Sequence, residues 1–435
     1  MLGTGGVEPL VTFRASVARV GIANGAMLLT HLITIAALGL MIPVRDFAVF
    51  MLGLSITQPF SAVGYLRLES AFPAVNARRE LTTLLAIGFI AALIVAGLQY
   101  LIVAQLQSWR LFELQSLNEG TAAILPVITF LQTLTQVGRL WAIRFGRVDH
   151  IASATWIRAC TTLIARGAIL GTVYFVESQW TLLSIAGALL LMEVASLLVM
   201  TTQLYPAKAL CKAFLRLKLL AAIAALRRNW KFPTLETVST AIDQLAANAP
   251  IFLVAQFYGI PATANFGLAY RGVAVPVAQI SKTLTEVMQV RYSELLRTEK
   301  VAEFSILFRR STLLMAAASF VATVLAEAGL TLLAEIIRSP RYEQLIFIIA
   351  IIFPWVAASA IVNINSRLIL MLKKQELKLA YDFFALISMI ILFFLVPHAG
   401  LSLYLFLGLL TIIQISAYLL YFLLIRKAVE SAVRI

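Results

Sequence analysis

The sequence predicts an all-α polytopic membrane protein with about twelve transmembrane helices. The first observation is composition: 61% of the 435 residues are hydrophobic and 13% are charged, whereas soluble domains are about 25% charged. The second is a succession of apolar runs of about 20 residues, the length of helix that crosses about 30 Å of hydrocarbon. The third is the concentration of lysine and arginine in alternate polar gaps, which is typical of proteins that cross a membrane repeatedly.

The apolar runs define the individual helices. Several contain a proline, which membrane helices tolerate because neighbouring groups satisfy the freed backbone atoms. The predicted spans cover residues 17–42, 47–66, 81–105, 121–143, 151–175, 180–203, 236–257, 262–287, 307–330, 344–366, 379–397 and 400–425.

The basic residues predict the orientation of these helices. If the N-terminus is cytoplasmic, the outer gaps hold Arg45, Arg110, Arg338 and Arg341, and most other basic residues fall on the inner side. The positive-inside rule therefore places both termini and the basic segment 206–232 in the cytoplasm. The same asymmetry accounts for most of the net charge of +14. It indicates contact with anionic membrane lipids and no binding to nucleic acid.

The basic segment divides the chain into two lobes of six helices. We expect an N-terminal lobe at 1–205, a cytoplasmic linker at 206–232 and a C-terminal lobe at 233–435. A weak repeat relates the lobes, because Arg139 after helix four corresponds to Arg367 after helix ten and a basic cluster follows each. Six helices per lobe give both lobes the same orientation. A pseudo-two-fold axis along the membrane normal is therefore predicted, with a substrate site at the central seam.

The middle of the chain resembles a known family. Residues 230–295 begin with Lys-Phe-Pro, continue through Asn248-Ala249-Pro250 and a turn with Phe-Gly-Leu-Ala, and then reach Pro276. This order is similar to that in bacterial polysaccharide flippases, the oligosaccharide-lipid translocases of the multidrug/oligosaccharidyl-lipid/polysaccharide exporter superfamily. The basic turn from Arg139 to His150 resembles that family's loop after helix four.

The resemblance implies a function and a location. The expected activity is transfer of a polyprenyl-diphosphate-linked oligosaccharide across the bacterial inner membrane by alternating access, for O-antigen, capsule or exopolysaccharide biosynthesis. The expected partners are this lipid-linked oligosaccharide, membrane lipids and the glycan polymerase machinery.

Two arginines in helix five require an explanation beyond topology. An ionised side chain at the centre of a membrane helix costs at least about 2.5–3.5 kcal/mol, so it needs a partner, a watery cavity or a role. Arg166 lies about 15 Å from the outer end of its helix, at 1.5 Å per residue. It is a candidate for binding the substrate diphosphate, or for an ion pair with Glu193. Arg158, eight residues earlier on the same face, is a second substrate candidate or an anchor at the inner interface.

Helices seven and eight provide further candidates. Arg271 is predicted to be deep in helix eight, as a cationic substrate site or as the structural partner of Asp243. The family resemblance places Arg19, Asp243 and Arg271 on the cavity wall. Arginine suits a diphosphate because it stays charged and its planar guanidinium group donates several hydrogen bonds to phosphate oxygens. Sugar contacts are expected from Gln58, Gln244, Asn248 and Tyr270, each with helix packing as the alternative.

Other functions remain open. A multidrug cation antiporter of the same superfamily would need a cavity rich in acids and aromatic residues. A membrane glycan polymerase or ligase would need a large outer loop, and the longest outer gap, 106–120, is short. No catalytic residues, metal-ligand spacing or nucleotide-binding loop are found, so a transporter without cofactor is predicted and not an enzyme.

Overall fold

In the computed structural model, most of the chain is helical. The described residues are 10–72, 75, 78–117, 119–144, 148–173, 219–298, 300–336, 340–372 and 374–433, with isolated helical residues between 187 and 198. No β-strand occurs among them. Nine described segments are long and apolar enough to cross a membrane. The predicted all-α membrane class is therefore confirmed.

The first compact unit comprises residues 1–241. Its helices are α1 (Leu10–Met41), α2 (Val44–Val63), α3 (Arg78–Ser108), α4 (Glu119–Arg144), α5 (Val148–Val173) and α6 (Leu219–Arg228). Within the unit, α1 packs along α5, and α4 packs against α2 and α3. Aromatic side chains fill one core of this unit, where Phe72 meets the rings of Tyr65 and Trp141 edge-on at 6.3 and 6.0 Å. Short 3-10 turns at Leu68–Ala71 and Leu114–Ser116 connect its helices.

The second compact unit comprises residues 242–435. Its helices are α7 (Thr237–Arg297, whose residues 237–241 belong to the first unit), α8 (Val301–Ile336), α9 (Pro340–Asn363), α10 (Arg367–Met371), α11 (Gln375–Ala399) and α12 (Leu403–Val433). A π-helical turn at Phe232–Glu236 leads into α7. Here α9 packs against α8 and α12, and α12 packs against α11.

The long helix α7 reverses direction at Gly259. This residue has φ +76° and ψ −174°, a conformation that glycine adopts without a Cβ penalty. The Tyr270 hydroxyl donates to the carbonyl of Ala247 at 3.4 Å, although 23 residues of straight helix would separate the two by about 35 Å. The segments before and after Gly259 therefore form a hairpin, and they correspond to the predicted spans 236–257 and 262–287.

Every predicted span except one has a described helix at its position. The exception is 180–203, most of which lies outside the described residues. Residues 206–218 of the predicted linker also lie outside them, whereas 219–228 form α6. No helix was predicted in this linker from the sequence.

Candidate functional site

An aromatic cluster lies inside the second unit. Its rings come from α7, α9, α11 and α12. We define it as Phe266, Tyr270, Trp355, Tyr381, Tyr418 and Tyr421. Two pairs, Phe266 with Tyr270 and Tyr418 with Tyr421, are spaced by four and three residues, which puts each pair on one face of its helix.

The rings of this cluster are stacked. Tyr270 stacks on Phe266 at a centroid distance of 5.7 Å and on Trp355 at 5.3 Å. Tyr381 stacks on Tyr421 at 4.2 Å with an interplanar angle of 11°, and Tyr418 lies beside both Tyr381 and Trp355. Contacts between these aromatic rings thus connect four helices. The faces of aromatic rings carry a negative potential that attracts cations.

Asp243 is the carboxylate associated with this cluster. It lies in the segment of α7 before Gly259, is half-buried, and is within electrostatic reach of the hydroxyl groups of four cluster tyrosines. No described lysine or arginine forms an ion pair with it. Ionisable residues within membrane-spanning segments usually face the interior of the helix bundle or a water-filled cavity, which makes Asp243 a candidate site residue.

A second carboxylate beside the cluster is already neutralised. Asp382 of α11 is fully buried, and the ammonium group of Lys378 lies 2.8 and 3.1 Å from its two oxygens. Asp382 is also within electrostatic reach of Tyr381 and Tyr421. The two acids therefore differ in their ion pairing. Asp382 is paired with a lysine of its own helix, and Asp243 forms no ion pair with a described residue.

Arg271 follows Tyr270 directly on α7. Its side chain is 5% exposed, and it interacts electrostatically with Tyr270. No ion pair between Arg271 and Asp243 occurs among the described contacts. The two candidates from helices seven and eight belong to the same unit, with Tyr270 within electrostatic reach of both.

The remaining candidates belong to the first unit. Arg166 of α5 is 4% exposed, its Nη1 donates to Thr34 Oγ1 on α1 at 2.7 Å, and the same nitrogen lies 3.4 Å from His31 Nδ1. Arg158 is half-buried on α5, and Arg19 is exposed on α1. The hydrogen bonds of Arg166 connect α1 to α5, which is a structural role independent of any substrate.

Some predictions concern residues of which the structure says little. Glu193, the proposed partner of Arg166, lies outside the described residues. Of the polar side chains expected to contact sugar, Asn248 is 5% exposed and donates to the carbonyl of Gln244 at 2.8 Å, so its amide is used within its own helix. Gln58 and Gln244 are half-buried, and Tyr270 belongs to the aromatic cluster.

Most of this cluster was not predicted from the sequence. Trp355, Tyr381, Tyr418 and Tyr421 come from helices far apart in the chain, and no local pattern brings them together. The Lys378–Asp382 pair did carry a signal, because the residues are spaced i,i+4, with Asp382 inside the predicted apolar run 379–397 and Lys378 directly before it. Among the described residues, no three His, Cys, Asp or Glu side chains come together as a metal site.

Comparison with known proteins identifies the fold. No protein-family model matches the sequence, and no curated protein is significantly similar to it. Solved structures do match over almost the whole chain. One is the inward-facing conformation of a multidrug resistance MATE family transporter of the MOP superfamily, with a TM-score of 0.66 and 15% identity over 96% of this chain and 95% of that chain. The outward-facing conformation of such a transporter matches with a TM-score of 0.61 and 14% identity, covering 96% of each chain.

A third matching structure is not described as a multidrug transporter. It is a MOP superfamily transporter from Pyrococcus furiosus, described as having a binding pocket of reversed polarity that suggests a different function. It matches with a TM-score of 0.64 and 14% identity over 97% of this chain and 96% of that chain. The chain therefore has the fold of MATE transporters of the MOP superfamily. At 14–15% identity these matches establish the fold and not the substrate.

Proposed function

We propose that this protein is a membrane transporter that moves an amphiphilic organic cation by alternating access. Structures of the same fold are known in inward- and outward-facing conformations. The observation that carries the proposal is Asp243, a carboxylate within electrostatic reach of four tyrosines and without an ion pair to a described basic residue.

The chemistry of the cluster supports a cationic substrate. A desolvated cation close to aromatic rings gains about 2 kcal/mol or more, and six aromatic side chains meet in this cluster. A carboxylate nearby adds charge attraction that offsets the substrate's loss of hydration. Two cations cannot occupy the carboxylate of Asp243 at the same time. Binding of one therefore opposes binding of the other, as exchange transport requires.

A flippase for lipid-linked oligosaccharide is the second candidate. The observation that favours it is the burial of two arginines, Arg166 and Arg271, both less than one-tenth exposed. A guanidinium in a cavity wall binds diphosphate oxygens through several donors. The resemblance of residues 230–295 to polysaccharide flippases supports the same candidate, with the inner membrane as its location and the glycan polymerase machinery as its partner.

Efflux of a fluorescent cation tests the first candidate. Ethidium efflux is measured from cells that lack their own exporters and produce wild type, Asp243→Asn or the control Glu376→Gln, which changes an exposed acid in the first turn of α11. We expect efflux by the wild type and the control, and a loss of at least tenfold in Asp243→Asn at equal membrane abundance. Equal efflux by Asp243→Asn and wild type would remove Asp243 from the substrate site.

Surface glycan production tests the second candidate in the same strains. A flippase predicts that Arg271→Ala abolishes the glycan while the protein stays in the membrane. Arg271→Lys would retain part of the activity, because lysine keeps the positive charge but lacks the planar guanidinium group that donates two parallel hydrogen bonds. A wild type that exports no ethidium but restores surface glycan would establish the flippase and contradict the cation transporter.

A further inference from the structure

The helix α6 has two different faces. Ala222 and Ala225 are buried on the side that packs against α3. On another side, Leu219, Leu220 and Ile223 are 76%, 83% and 53% exposed. These three lie within about 100° of one another around the helix axis, at 100° per residue. An exposed apolar stripe of this kind on a ten-residue helix marks a site of contact with a membrane or with another protein.

The end of α6 lies where two membrane helices begin. Arg228 Nη1 and Asn229 Nδ2 each donate at 2.8 Å to the carboxylate of Glu80, in the first turn of α3. The candidate membrane span of α3 starts at Arg79, and the span that contains the π-helical turn and α7 starts at Phe232, four residues after α6 ends. The exposed apolar stripe is therefore near the level at which both helices enter the hydrocarbon.

Basic and aromatic residues continue the stripe. Arg227 is four residues after Ile223 on the same face and is exposed, as is Lys231. Trp230, between them, is 50% exposed. Residues 219–235 contain no aspartate or glutamate, and no described acid forms an ion pair with Arg227 or Lys231. Exposed leucine, tryptophan and uncompensated basic residues together match the acyl, interfacial and phosphate layers of an anionic leaflet.

We propose that α6, with Trp230 and Lys231, is an interfacial anchor that binds the anionic phospholipids of the cytoplasmic leaflet. Leu219, Leu220 and Ile223 enter the acyl region. Arg227 and Lys231 extend their apolar stems along this layer and contact the lipid phosphates. Because Glu80 holds Arg228, the anchor fixes the depth of the first turn of α3 as well as the start of α7. The assignment of the leaflet rests on the predicted orientation and is independent of the transported substrate.

Lipid titration tests the headgroup contact. The purified full-length protein in detergent is titrated with phosphatidylglycerol or phosphatidylcholine, and bound lipid is counted by native mass spectrometry. We expect Arg227→Gln/Lys231→Gln to weaken phosphatidylglycerol binding about 25-fold, at about fivefold per charge, and to leave phosphatidylcholine binding unchanged. Arg228 is kept, so the contact with Glu80 remains.

The control Lys300→Gln/Lys374→Gln removes two positive charges from exposed turns and should bind phosphatidylglycerol as the wild type does. Equal affinity of wild type and Arg227→Gln/Lys231→Gln for phosphatidylglycerol, or equal affinity for the two lipids, would overturn the proposal.

A depth measurement tests the apolar stripe. A fluorophore is attached to Leu220→Cys or to Lys374→Cys after Cys160 and Cys211, the two native cysteines, have been changed to serine. The protein is placed in nanodiscs of phosphatidylcholine and phosphatidylglycerol that carry a quencher at the acyl chain. We expect strong quenching at position 220 and weak quenching at position 374. Equally weak quenching at both positions would show that α6 lies in water. This result would refute the anchor even if phosphatidylglycerol bound to Arg227 and Lys231.

Discussion

Arg67 donates two hydrogen bonds to one carboxylate oxygen of Glu236, from Nη2 at 2.8 Å and from Nε at 3.2 Å. The Ser70 hydroxyl donates to the same oxygen at 3.0 Å. These contacts join the turn that follows α2 to the π-helical turn that precedes α7, across 169 residues of sequence. Arg67 has a left-handed backbone with φ +53°, so this turn is held in a conformation that non-glycine residues seldom adopt.

The Arg67–Glu236 pair should contribute measurably to stability. Hydrogen bonds to charged groups contribute about 1.5–3 kcal/mol, and both side chains are largely shielded from water. We expect Arg67→Met and Glu236→Gln each to lower the melting temperature in detergent by several degrees, and the double variant to lose less than the sum. The control is Arg426→Met, which breaks an exposed i,i+4 pair with Glu430 and should cost under about 0.5 kcal/mol. Additive losses would mean that the two residues do not stabilise the protein through each other.

Glu69 should make stability depend on pH. It is 2% exposed, and its Oε2 has no hydrogen-bond partner among the described residues. Burial raises the pKa of its carboxyl from 4.5 to about 7; Arg67, at 3.4 Å, opposes this shift and Glu236 adds to it. Between pH 4.5 and 7 the folded protein therefore binds a proton that the unfolded chain has released. The stabilisation from this proton is complete below pH 4.5 and is lost as the pH rises through 7.

The measurement is the melting temperature between pH 4.5 and 8. The wild type should become less stable as the pH rises over this range. Glu69→Gln should remove most of this slope and should exceed the wild type in stability at pH 8, because the buried side chain no longer ionises. The control Glu303→Gln, an exposed acid paired with Lys300, should keep the wild-type slope. Identical slopes in wild type and Glu69→Gln would contradict the assignment.

Thr34 should stabilise the packing of α1 on α5. Its hydroxyl oxygen accepts the hydrogen bond from buried Arg166, and valine has the same shape without an acceptor. Thr34→Val should cost about 1–3 kcal/mol, because it removes a partner from a desolvated cation. Thr161→Val is the matched control on α5, since its hydroxyl donates to the carbonyl of Ile157 in its own helix. The check is thermal melting of both variants in detergent, and an equal, small effect would show that Arg166 does not depend on α1.

Gly259 should be required for the hairpin of α7. A Cβ there would meet no atom within 4 Å, so the cost of Gly259→Ala is in the backbone conformation alone. That cost is about 1–3 kcal/mol for a residue confined to this region. Gly272→Ala, in the same helix and also without a neighbour within 4 Å, should be neutral or stabilising. The yield of monodisperse protein in size-exclusion chromatography should fall for the first variant and not for the second.

The membrane class and the positions of most helices could be predicted from the sequence. Both depend on local properties: about 20 apolar residues cross the hydrocarbon as one helix, and polar gaps end it. The turn between spans seven and eight was also predictable, because Gly259 and Pro261 interrupt the apolar pattern. The linker helix α6 was not predicted because it is too short to cross a membrane. Its apolar stripe also differs from the continuous apolar run of a membrane span and from the polar sequence of a soluble segment.

The partners of the buried charges were decided by the tertiary structure. The predicted depth of Arg166, Arg158 on the same face and the resemblance to flippases made Arg166 a substrate candidate. The packing of α1 on α5 placed Thr34 against it from 132 residues away. Arg271 and Asp243 were a possible pair in sequence, whereas the fold brought tyrosines from α7, α11 and α12 within electrostatic reach of the carboxylate. Apolar periodicity determines where a helix lies because the bilayer acts on each segment separately. Which polar groups meet depends on how the helices pack against one another, and no single segment contains that information.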